Sequence, residues 1–334
     1  MRKGITVAAV QSAFRKEDYR TPESYCAKVE SIFRRIAQDP GPSPALVVFP
    51  ELTGLWIPLI TLHAQGRFDS PAAIALSLLA RHPRRALVSL LANRKLSFAF
   101  LVNWEETYHT WIMPFQEAAT RYGTYVCPGS CFLPAFDWEI ARGWHTRGPR
   151  VYNTSCLVNP HGRVLGMTRK ANLTQAEIRL GIRPGQLKDL SVYDTGIGKV
   201  GILICLDGFY RECANQTDRL GCELLLQPSA NPRSWDAPPR KGATVSQEQE
   251  WLSEGLGSLI QDTENIVASV NPMGVSSVLG HRDEGKSNAF VNAARKVGLA
   301  AAQKLPGAYT KHLGLAAIAA TSDQEEIVQL TIEW

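Results

Sequence analysis

A cysteine stands where an apolar run ends and the chain turns. The run "VGILICLD" (200–207) is followed by Gly208, so Cys205 lies at the end of a predicted buried strand. Proteins of the α/β class often present reactive groups there, and backbone N–H groups after such a turn can form an oxyanion hole. A thiol in this position could act as a nucleophile if a base took its proton. The competing interpretation is a small buried apolar residue, which most free cysteines are.

Two charged residues follow other apolar runs. Glu51 comes directly after "LVVFP", and Lys170 follows "GRVLGMTR". A partly buried carboxylate with a raised pKa is suited to taking and returning protons, whereas a solvated carboxylate at a strand end, or an acid at a helix N-terminus, would have no such role. Lys170 alone is most simply interpreted as a surface lysine. Glu177 follows in "ANLTQAEIRLG" and is unremarkable by itself.

Short apolar runs and amphipathic runs predict the elements that position these residues. The strand-like runs are bounded by Gly, Pro, Asn or Asp, and helix-like runs separate them. The sequence "NPHG" between two β-like runs indicates an antiparallel hairpin, so we expect mixed sheets in one α/β domain over 1–334. The predicted strands are 5–11, 45–51, 124–130, 152–160, 200–207, 222–230 and 265–272, and the predicted helices are 22–38, 108–123 and 246–265.

The composition argues against several classes of protein. The chain has 334 residues, of which 45% are hydrophobic, and its net charge of +5 is too diffuse to indicate nucleic-acid binding. No uncharged apolar run approaches the ~20 residues of a membrane span, and "ITVAAV" is too short for a signal peptide, so we expect a cytoplasmic protein. Seven cysteines without a CxxC pair argue against a disulfide framework. The spacing in "CPGSC" is poor for zinc, so we expect no metal.

One segment, 70–104, contains no Asp or Glu but several Arg and Lys residues among many apolar ones. It lies in an unusual basic and apolar stretch that we place around 55–120. Three interpretations are open: helices packed on the core with a basic outer face, a lid over a large apolar substrate, or an amphipathic segment on an anionic membrane surface.

The ordered motifs "VVFPELTG", "GRVLGMTRKANL" and "VGILICLDGF" resemble those of the nitrilase superfamily of carbon–nitrogen hydrolases. "VAAVQ" is similar to the first strand of that family, "ELLLQPSANPRSW" to the segment after its cysteine, and "ENIVASVNPMG" to a later strand. The resemblance covers most of the chain. It implies a four-layer α-β-β-α sandwich with mixed sheets, and a homodimer or a larger homo-oligomer.

The resemblance also implies roles for individual residues. Cys205 would be the nucleophile, Glu51 the general base, and Lys170 the group that stabilises the oxyanion and favours the thiolate. The backbone N–H of Leu206 would be a second oxyanion donor. Glu177 would be a fourth polar residue that places Lys170 and the substrate. The implied reaction, hydrolysis of a small linear amide or carbamoyl compound with release of ammonia or an amine, needs no cofactor.

Three other functions stay open: acyl transfer from Cys205 to an amine, nitrile hydrolysis, and a catalytically silent scaffold protein. The sequence Cys205-Leu206-Asp207 stands where true nitrilases usually carry Cys-Trp-Glu, which favours an amide over a nitrile. The intact Glu51, Lys170 and Cys205 argue against a scaffold. The substrate itself is not predicted.

Overall fold

Two mixed β-sheets form the centre of the computed structural model, which describes residues 4–58, 60, 73, 76–77, 80, 83, 97–139, 143–240, 242–295, 297–301 and 305–334. The strands are β1 (Gly4–Gln11), β2 (Leu46–Val48), β3 (Tyr125–Cys127), β4 (Ser130–Glu139), β5 (Gly143–Val158), β6 (Val164–Arg169), β7 (Val192–Thr195), β8 (Gly198–Ile202), β9 (Leu224–Leu226), β10 (Ala268–Asn271), β11 (Ser277–Val278), β12 (His281–Arg282), β13 (Asn288–Val291), β14 (Gly298–Ala301), β15 (Leu315–Ile318) and β16 (Glu326–Glu333). The helices are α1 (Pro22–Gln38), α2 (Phe98–Val102), α3 (Trp104–Tyr122), α4 (Gln175–Leu180), α5 (Arg211–Arg219), α6 (Gln247–Glu254) and α7 (Leu256–Leu259).

The first sheet has eight strands in the order β14-β16-β1-β2-β3-β5-β4, with β6 also paired to β5. It is parallel from β1 through β2 to β3 and antiparallel elsewhere. The second sheet has six strands in the order β15-β13-β10-β9-β8-β7 and is parallel from β10 through β9 to β8. The predicted mixed α/β class is confirmed, as is the hairpin at "NPHG", which joins β5 to β6.

Alternation along the central strands produces four layers. In β1, Ala8 and Val10 face a core shared with α1 and α3, whereas Val7 and Ala9 face a second core that lies between the two sheets. This division follows from the two-residue period of a strand, which sends successive side chains to opposite faces. On the far side of the second sheet, Leu225 packs in a third core with residues of α5, α6 and α7. The order is therefore helices, sheet, sheet, helices, as the resemblance implies.

Local signals set the helix ends. Helix α1 begins where Thr21 accepts a hydrogen bond from the Ser24 backbone N–H, with Pro22 at the first helical position. Helix α3 ends at Gly123, which adopts φ +63°. The predicted helix over 246–265 is interrupted at Gly255, whose extended backbone (φ −76°, ψ −173°) separates α6 from α7.

The acid-free segment 70–104 lies largely outside the described residues. Its described C-terminal part includes α2, where Ala99, Leu101 and Val102 are buried, and the three interpretations of the whole segment stay predictions. No helix of the described ranges is long and apolar enough to cross a bilayer. The extent of the domain, 1–334, and of the stretch around 55–120 stay predictions.

Candidate active site

Cys205 occupies a strained turn directly after β8. It opens a 3₁₀ turn, Cys205–Phe209, and its φ of +49° is unfavourable for a residue with a Cβ. Two hydrogen bonds hold this backbone: the Cys205 N–H donates to the Pro228 carbonyl (2.9 Å), and the Cys205 carbonyl accepts from Gln227 Nε2 (2.8 Å). Gly208 is required beside them, since a Cβ there would lie 2.1 Å from Gln227 Nε2. The turn therefore fixes the thiol at the end of the second sheet.

A buried ion cluster brings together three of the predicted residues. Lys170 is 1% exposed, and its Nζ donates to Glu51 Oε1 at 2.7 Å and to Glu177 Oε2 at 3.0 Å. Glu51 follows β2 and Lys170 follows β6, so both come from the carboxyl ends of strands in the first sheet. A buried cation that is paired with two carboxylates compensates charges that would otherwise be costly to bury.

Glu177 is fixed by the start of its own helix. Its Oε2 accepts from the Thr174 backbone N–H at 2.8 Å and from Thr174 Oγ1 at 2.9 Å, while the Thr174 hydroxyl accepts from the Glu177 N–H. This is the capping box that the sequence Thr-x-x-Glu encodes at the beginning of α4. The same carboxylate thus caps α4 and binds Lys170.

The environment sets the protonation of the pair formed by Glu51 and Cys205. Burial raises the pKa of Glu51 to about 7, although Lys170 opposes this shift. Burial, and then the charge of Glu51, raise the pKa of the Cys205 thiol well above its usual value. Lys170 lowers the Cys205 pKa, as expected, but these two effects outweigh it. The resting thiol is therefore protonated and needs a base.

The other two charges of the cluster remain ionised at neutral pH. Burial acts to raise the pKa of Glu177, but Lys170 and the hydrogen bond from Asn153 outweigh it, and the net shift is downward. Burial acts to lower the pKa of Lys170, but the charges of Glu51 and Glu177 and the hydrogen bond to Glu51 prevail and raise it. The site thus holds a fixed ammonium beside a carboxyl that titrates near neutral pH.

The Leu206 backbone N–H is available to a ligand. Across the ranges that the structure describes, no residue accepts a hydrogen bond from it. The N–H groups on either side, those of Cys205 and Asp207, donate to the Pro228 and Ile204 carbonyls. An uncommitted N–H directly after the thiol is what an oxyanion donor requires.

Sequence reasoning missed Asn153 on β5. Its Nδ2 donates to Glu51 Oε1 at 2.7 Å and to Glu177 Oε1 at 2.8 Å. The Asn153 carbonyl also accepts from the Lys170 backbone N–H at 2.9 Å. The sequence gives no local signal for this role, because all three partners arrive from other segments.

Asp207 is the second residue that sequence reasoning missed, since it stood out only as a departure from Cys-Trp-Glu. It is fully buried, and its carboxylate accepts from the Asn172 N–H (2.7 Å) and Nδ2 (3.0 Å), the Ala171 N–H (3.1 Å) and the Ile204 N–H (3.3 Å). Ala171 and Asn172 directly follow Lys170, and Ile204 directly precedes Cys205. Asp207 therefore ties the thiol turn of the second sheet to the lysine of the first.

We expect Asp207→Asn to impair both folding stability and turnover. The amide would place an N–H₂ group against N–H donors, so buried donors would lose their acceptor at a cost of about 1–3 kcal/mol in the free energy of unfolding. Displacement of Lys170 should lower kcat at least about tenfold. Denaturant unfolding and ammonia release measure the two effects. Asp194→Asn, at an exposed position, is the control, and an Asp207→Asn protein as stable and active as this control would contradict the expectation.

Arg211, the first residue of α5, forms an exposed ion pair with Asp262 at 2.7 Å. In the portion of the chain that the structure covers, no group of His, Cys, Asp and Glu is arranged to hold a metal ion.

Parts of this chain are similar to two amidases. An omega-amidase NIT2 from Danio rerio is 31% identical over 144 residues, which cover 39% of this chain and 47% of the relative. A deaminated glutathione amidase from Mus musculus is 31% identical over 129 residues, covering 33% of this chain and 40% of the relative. The matched part spans less than half the length of either relative.

A solved structure extends the likeness over nearly the whole fold. An amidase from Nesterenkonia sp. AN1, in a variant with acrylamide added at its active-site cysteine, superposes with a TM-score of 0.61 at 15% identity. The superposition covers 98% of this chain and 92% of the other. The sequence profile of the family described as carbon-nitrogen hydrolase matches residues 6–257, and this chain belongs to that family.

Proposed function

We propose that this protein hydrolyses the carbon–nitrogen bond of a small linear amide or carbamoyl compound through an acyl-enzyme on Cys205. The observation that carries the proposal is the buried Lys170 held between Glu51 and Glu177. Cys205 lies close enough to this cluster that the charges of Glu51 and Lys170 both act on its pKa. The arrangement supplies a nucleophile, a base and an electrophilic partner.

In the acylation step, Glu51 takes the proton of the Cys205 thiol while the sulfur attacks the amide carbon. The electron pair of the carbonyl moves to oxygen and forms a tetrahedral oxyanion. The oxyanion then collapses, the carbon–nitrogen bond breaks, and Glu51 returns the proton to the departing ammonia or amine. A base whose pKa is near 7 is suited to both transfers at neutral pH.

In the deacylation step, water attacks the thioester and Glu51 takes a proton from it. The second tetrahedral oxyanion expels the sulfur, which recovers its proton, and the acid leaves. The overall reaction consumes one water and releases one acid and one ammonia or amine. Each step uses only side-chain and backbone groups of this chain.

Lys170 is suited to stabilise both oxyanions. Two of its three N–H donors bind Glu51 and Glu177, which leaves one for the substrate. The Leu206 N–H is the proposed second donor. Loss of one such donor typically costs ~2.7–4 kcal/mol of transition-state stabilisation. We assign to Glu177 the placing of Lys170, because its own position is fixed by the α4 cap.

The names of the relatives support an amide substrate. The omega-amidase and the deaminated glutathione amidase are amidases, and the Nesterenkonia protein was solved with an amide added to its cysteine. A homodimer and a cytoplasmic location also belong to the proposal and rest on the family resemblance.

Glu51→Gln tests the proposal. Without a base for the thiol and for water, neither acylation nor deacylation should proceed, and we expect turnover to fall by about 10²–10⁴-fold. A pooled library of amides, ureido acids and nitriles is incubated with the protein, released ammonia is assayed, and intact mass reports any acyl adduct. Glu17→Gln, at an exposed side chain, should behave as wild type. Ammonia release by Glu51→Gln at a near-normal rate would overturn the base assignment.

A further inference from the structure

Asn153 lies between the two carboxylates that bind Lys170. Its Nδ2 is 2.7 Å from Glu51 Oε1 and 2.8 Å from Glu177 Oε1. The orientation of the amide is fixed by its neighbours, because the flipped form would put Oδ1 against two carboxylate oxygens. One amide nitrogen thus gives each of its hydrogens to a different carboxylate, which closes a ring of four side chains.

The other end of the Asn153 amide gains nothing from its burial. Asn153 is fully buried, and its Oδ1 accepts no hydrogen bond within the described parts of the chain. An unsatisfied buried acceptor costs stability, so an apolar residue would fill a purely structural position better. This asymmetry indicates that the role of Asn153 lies in the two hydrogen bonds that its Nδ2 donates.

Both N–H donors described at the Glu51 carboxylate bind the same oxygen. Lys170 Nζ and Asn153 Nδ2 each lie 2.7 Å from Oε1. Because Oε1 is occupied on two sides, Oε2 is left for proton transfer. The Cys205 thiol lowers the pKa of this carboxylate.

We propose that Asn153 is a positioning residue that keeps Glu51 ionised and reserves its Oε2 for the proton of Cys205. A hydrogen bond to the charged form of an acid favours that form. Asn153 also holds Glu177 in position to bind Lys170. The proposed base, Glu51, and the proposed oxyanion donor, Lys170, are therefore fixed relative to each other. This inference rests on the proposed function and adds a fifth side chain to its machinery.

Four charged or titratable groups act with Asn153 around Glu51. Lys170 and the Cys205 thiol favour its ionised form, while Glu177 opposes it. The contact of His281, on β12, with Asp283 raises the pKa of the imidazole, and the charge of Glu51 raises it further. A protonated His281 would in turn favour the ionised form of Glu51. Loss of the Asn153 donor leaves these groups in place and shifts the balance toward the neutral acid.

The test measures the reactivity of Cys205 without any substrate. Iodomethane, a thiol-alkylating reagent without an amide group, is applied to the full-length protein over about pH 5 to 9, and alkylation at Cys205 is followed by peptide mass spectrometry. Cys26, a half-buried thiol, serves as an internal reference in every sample. Because protonated Glu51 cannot take the thiol proton, alkylation of wild-type Cys205 should fall below about pH 7.

We call this fall in alkylation at low pH the acidic limb. We expect Asn153→Leu to move the acidic limb to higher pH by about one unit, which corresponds to the loss of one hydrogen bond to a charged group. Asn153→Asp has nearly the same volume as the wild-type residue and adds a third carboxylate, so it should move the limb further in the same direction. Asn292→Leu is the matched control. Asn292 is equally buried, but its Nδ2 donates only to the backbone of Ile260, Thr263 and Ile266 and weakly to the Thr263 hydroxyl. It should lower thermal stability without moving the limb.

The outcomes separate this inference from the proposed function. A limb that stays at the wild-type pH in Asn153→Leu, or in Asn153→Asp if the leucine variant does not fold, would overturn the role of Asn153. If the wild-type limb is itself absent and Cys205 reacts no faster than Cys26 at any pH, then the base assignment and the proposed function both fail. If the acidic limb disappears in Glu51→Gln but is unchanged in the Asn153 variants, the proposed function stands and only the role of Asn153 is contradicted.

Discussion

Cys205→Ala is expected to abolish turnover and to leave the fold intact. No other atom of the site can form the acyl-enzyme, and loss of a nucleophile that works as one unit with its base typically costs on the order of 10⁶-fold in kcat. The thiol's described hydrogen bond is a weak one to the Ala230 carbonyl at 3.6 Å. The turn itself is held through the backbone of residue 205, which alanine retains. We therefore expect the free energy of unfolding to change by less than about 1 kcal/mol.

Released ammonia and intact mass measure this expectation in parallel with the library of amides. Wild type should show ammonia or an adduct, and Cys205→Ala should show neither. Cys26→Ala removes a half-buried thiol outside the site and should leave both readouts unchanged. Turnover in Cys205→Ala within tenfold of wild type would exclude the thiol as the nucleophile.

Lys170→Met is expected to have the largest effect on stability. The variant would leave Glu51 and Glu177 buried and facing each other without their cation. Removal of one partner from a buried ion pair typically costs 3–5 kcal/mol, because the remaining charge is uncompensated. Turnover should be lost as well, since the oxyanion would lose its ammonium. Denaturant unfolding at several pH values measures the first effect and ammonia release the second.

The pH dependence of this loss has a definite sign. Without Lys170, the pKa of the buried Glu51 carboxyl in the folded state would lie still further above the ordinary value of 4.5. A raised folded-state pKa means that stability falls as the pH rises through this range. The difference between wild type and Lys170→Met should therefore be greatest above about pH 7 and should shrink as the pH falls toward about 4.5.

Lys28→Met is a suitable control for this experiment. Lys28 also binds a carboxylate, Glu325, at 2.7 Å, but that carboxylate keeps Arg35 and the Ala13 N–H as partners. We expect a smaller cost than for Lys170→Met, because Glu325 retains two partners and its charge stays compensated. If the free energy of unfolding of Lys170→Met were no lower than that of Lys28→Met at neutral pH, the expectation that Lys170 compensates the two buried carboxylates would be contradicted.

The residues that the sequence alone identifies share one property, a position at the end of an apolar run. Glu51, Lys170 and Cys205 follow runs whose burial is visible in composition, and strand ends in α/β folds are where chemistry concentrates. Glu177 carries the local signature of a capping box, although its bond to Lys170 is tertiary. The family resemblance connects these four residues, and the structure places them together.

Asn153 and Asp207 were out of reach for a physical reason. Apart from the Ile204 N–H, the partners of these two side chains lie 24 to 102 residues away, and nothing in the immediate sequence marks them. The φ of +49° at Cys205 was equally invisible, because cysteine has no particular preference for that conformation. Tertiary register decides all three features, and local patterns do not encode it.

The site is divided between two sheets that share no strand. Glu51, Asn153 and Lys170 belong to the first sheet, and Cys205 belongs to the second. A small slide of one sheet over the other would separate Glu51 from Cys205 while the hydrogen bonds between strands within each sheet stayed intact. The buried Asp207 carboxylate resists such a slide, because it accepts hydrogen bonds from the backbone N–H groups of Ala171 and Asn172, which directly follow Lys170. The geometry of the site thus depends on how the two sheets of the sandwich are aligned. A misalignment that left the secondary structure unchanged would be detected as a loss of the proposed activity.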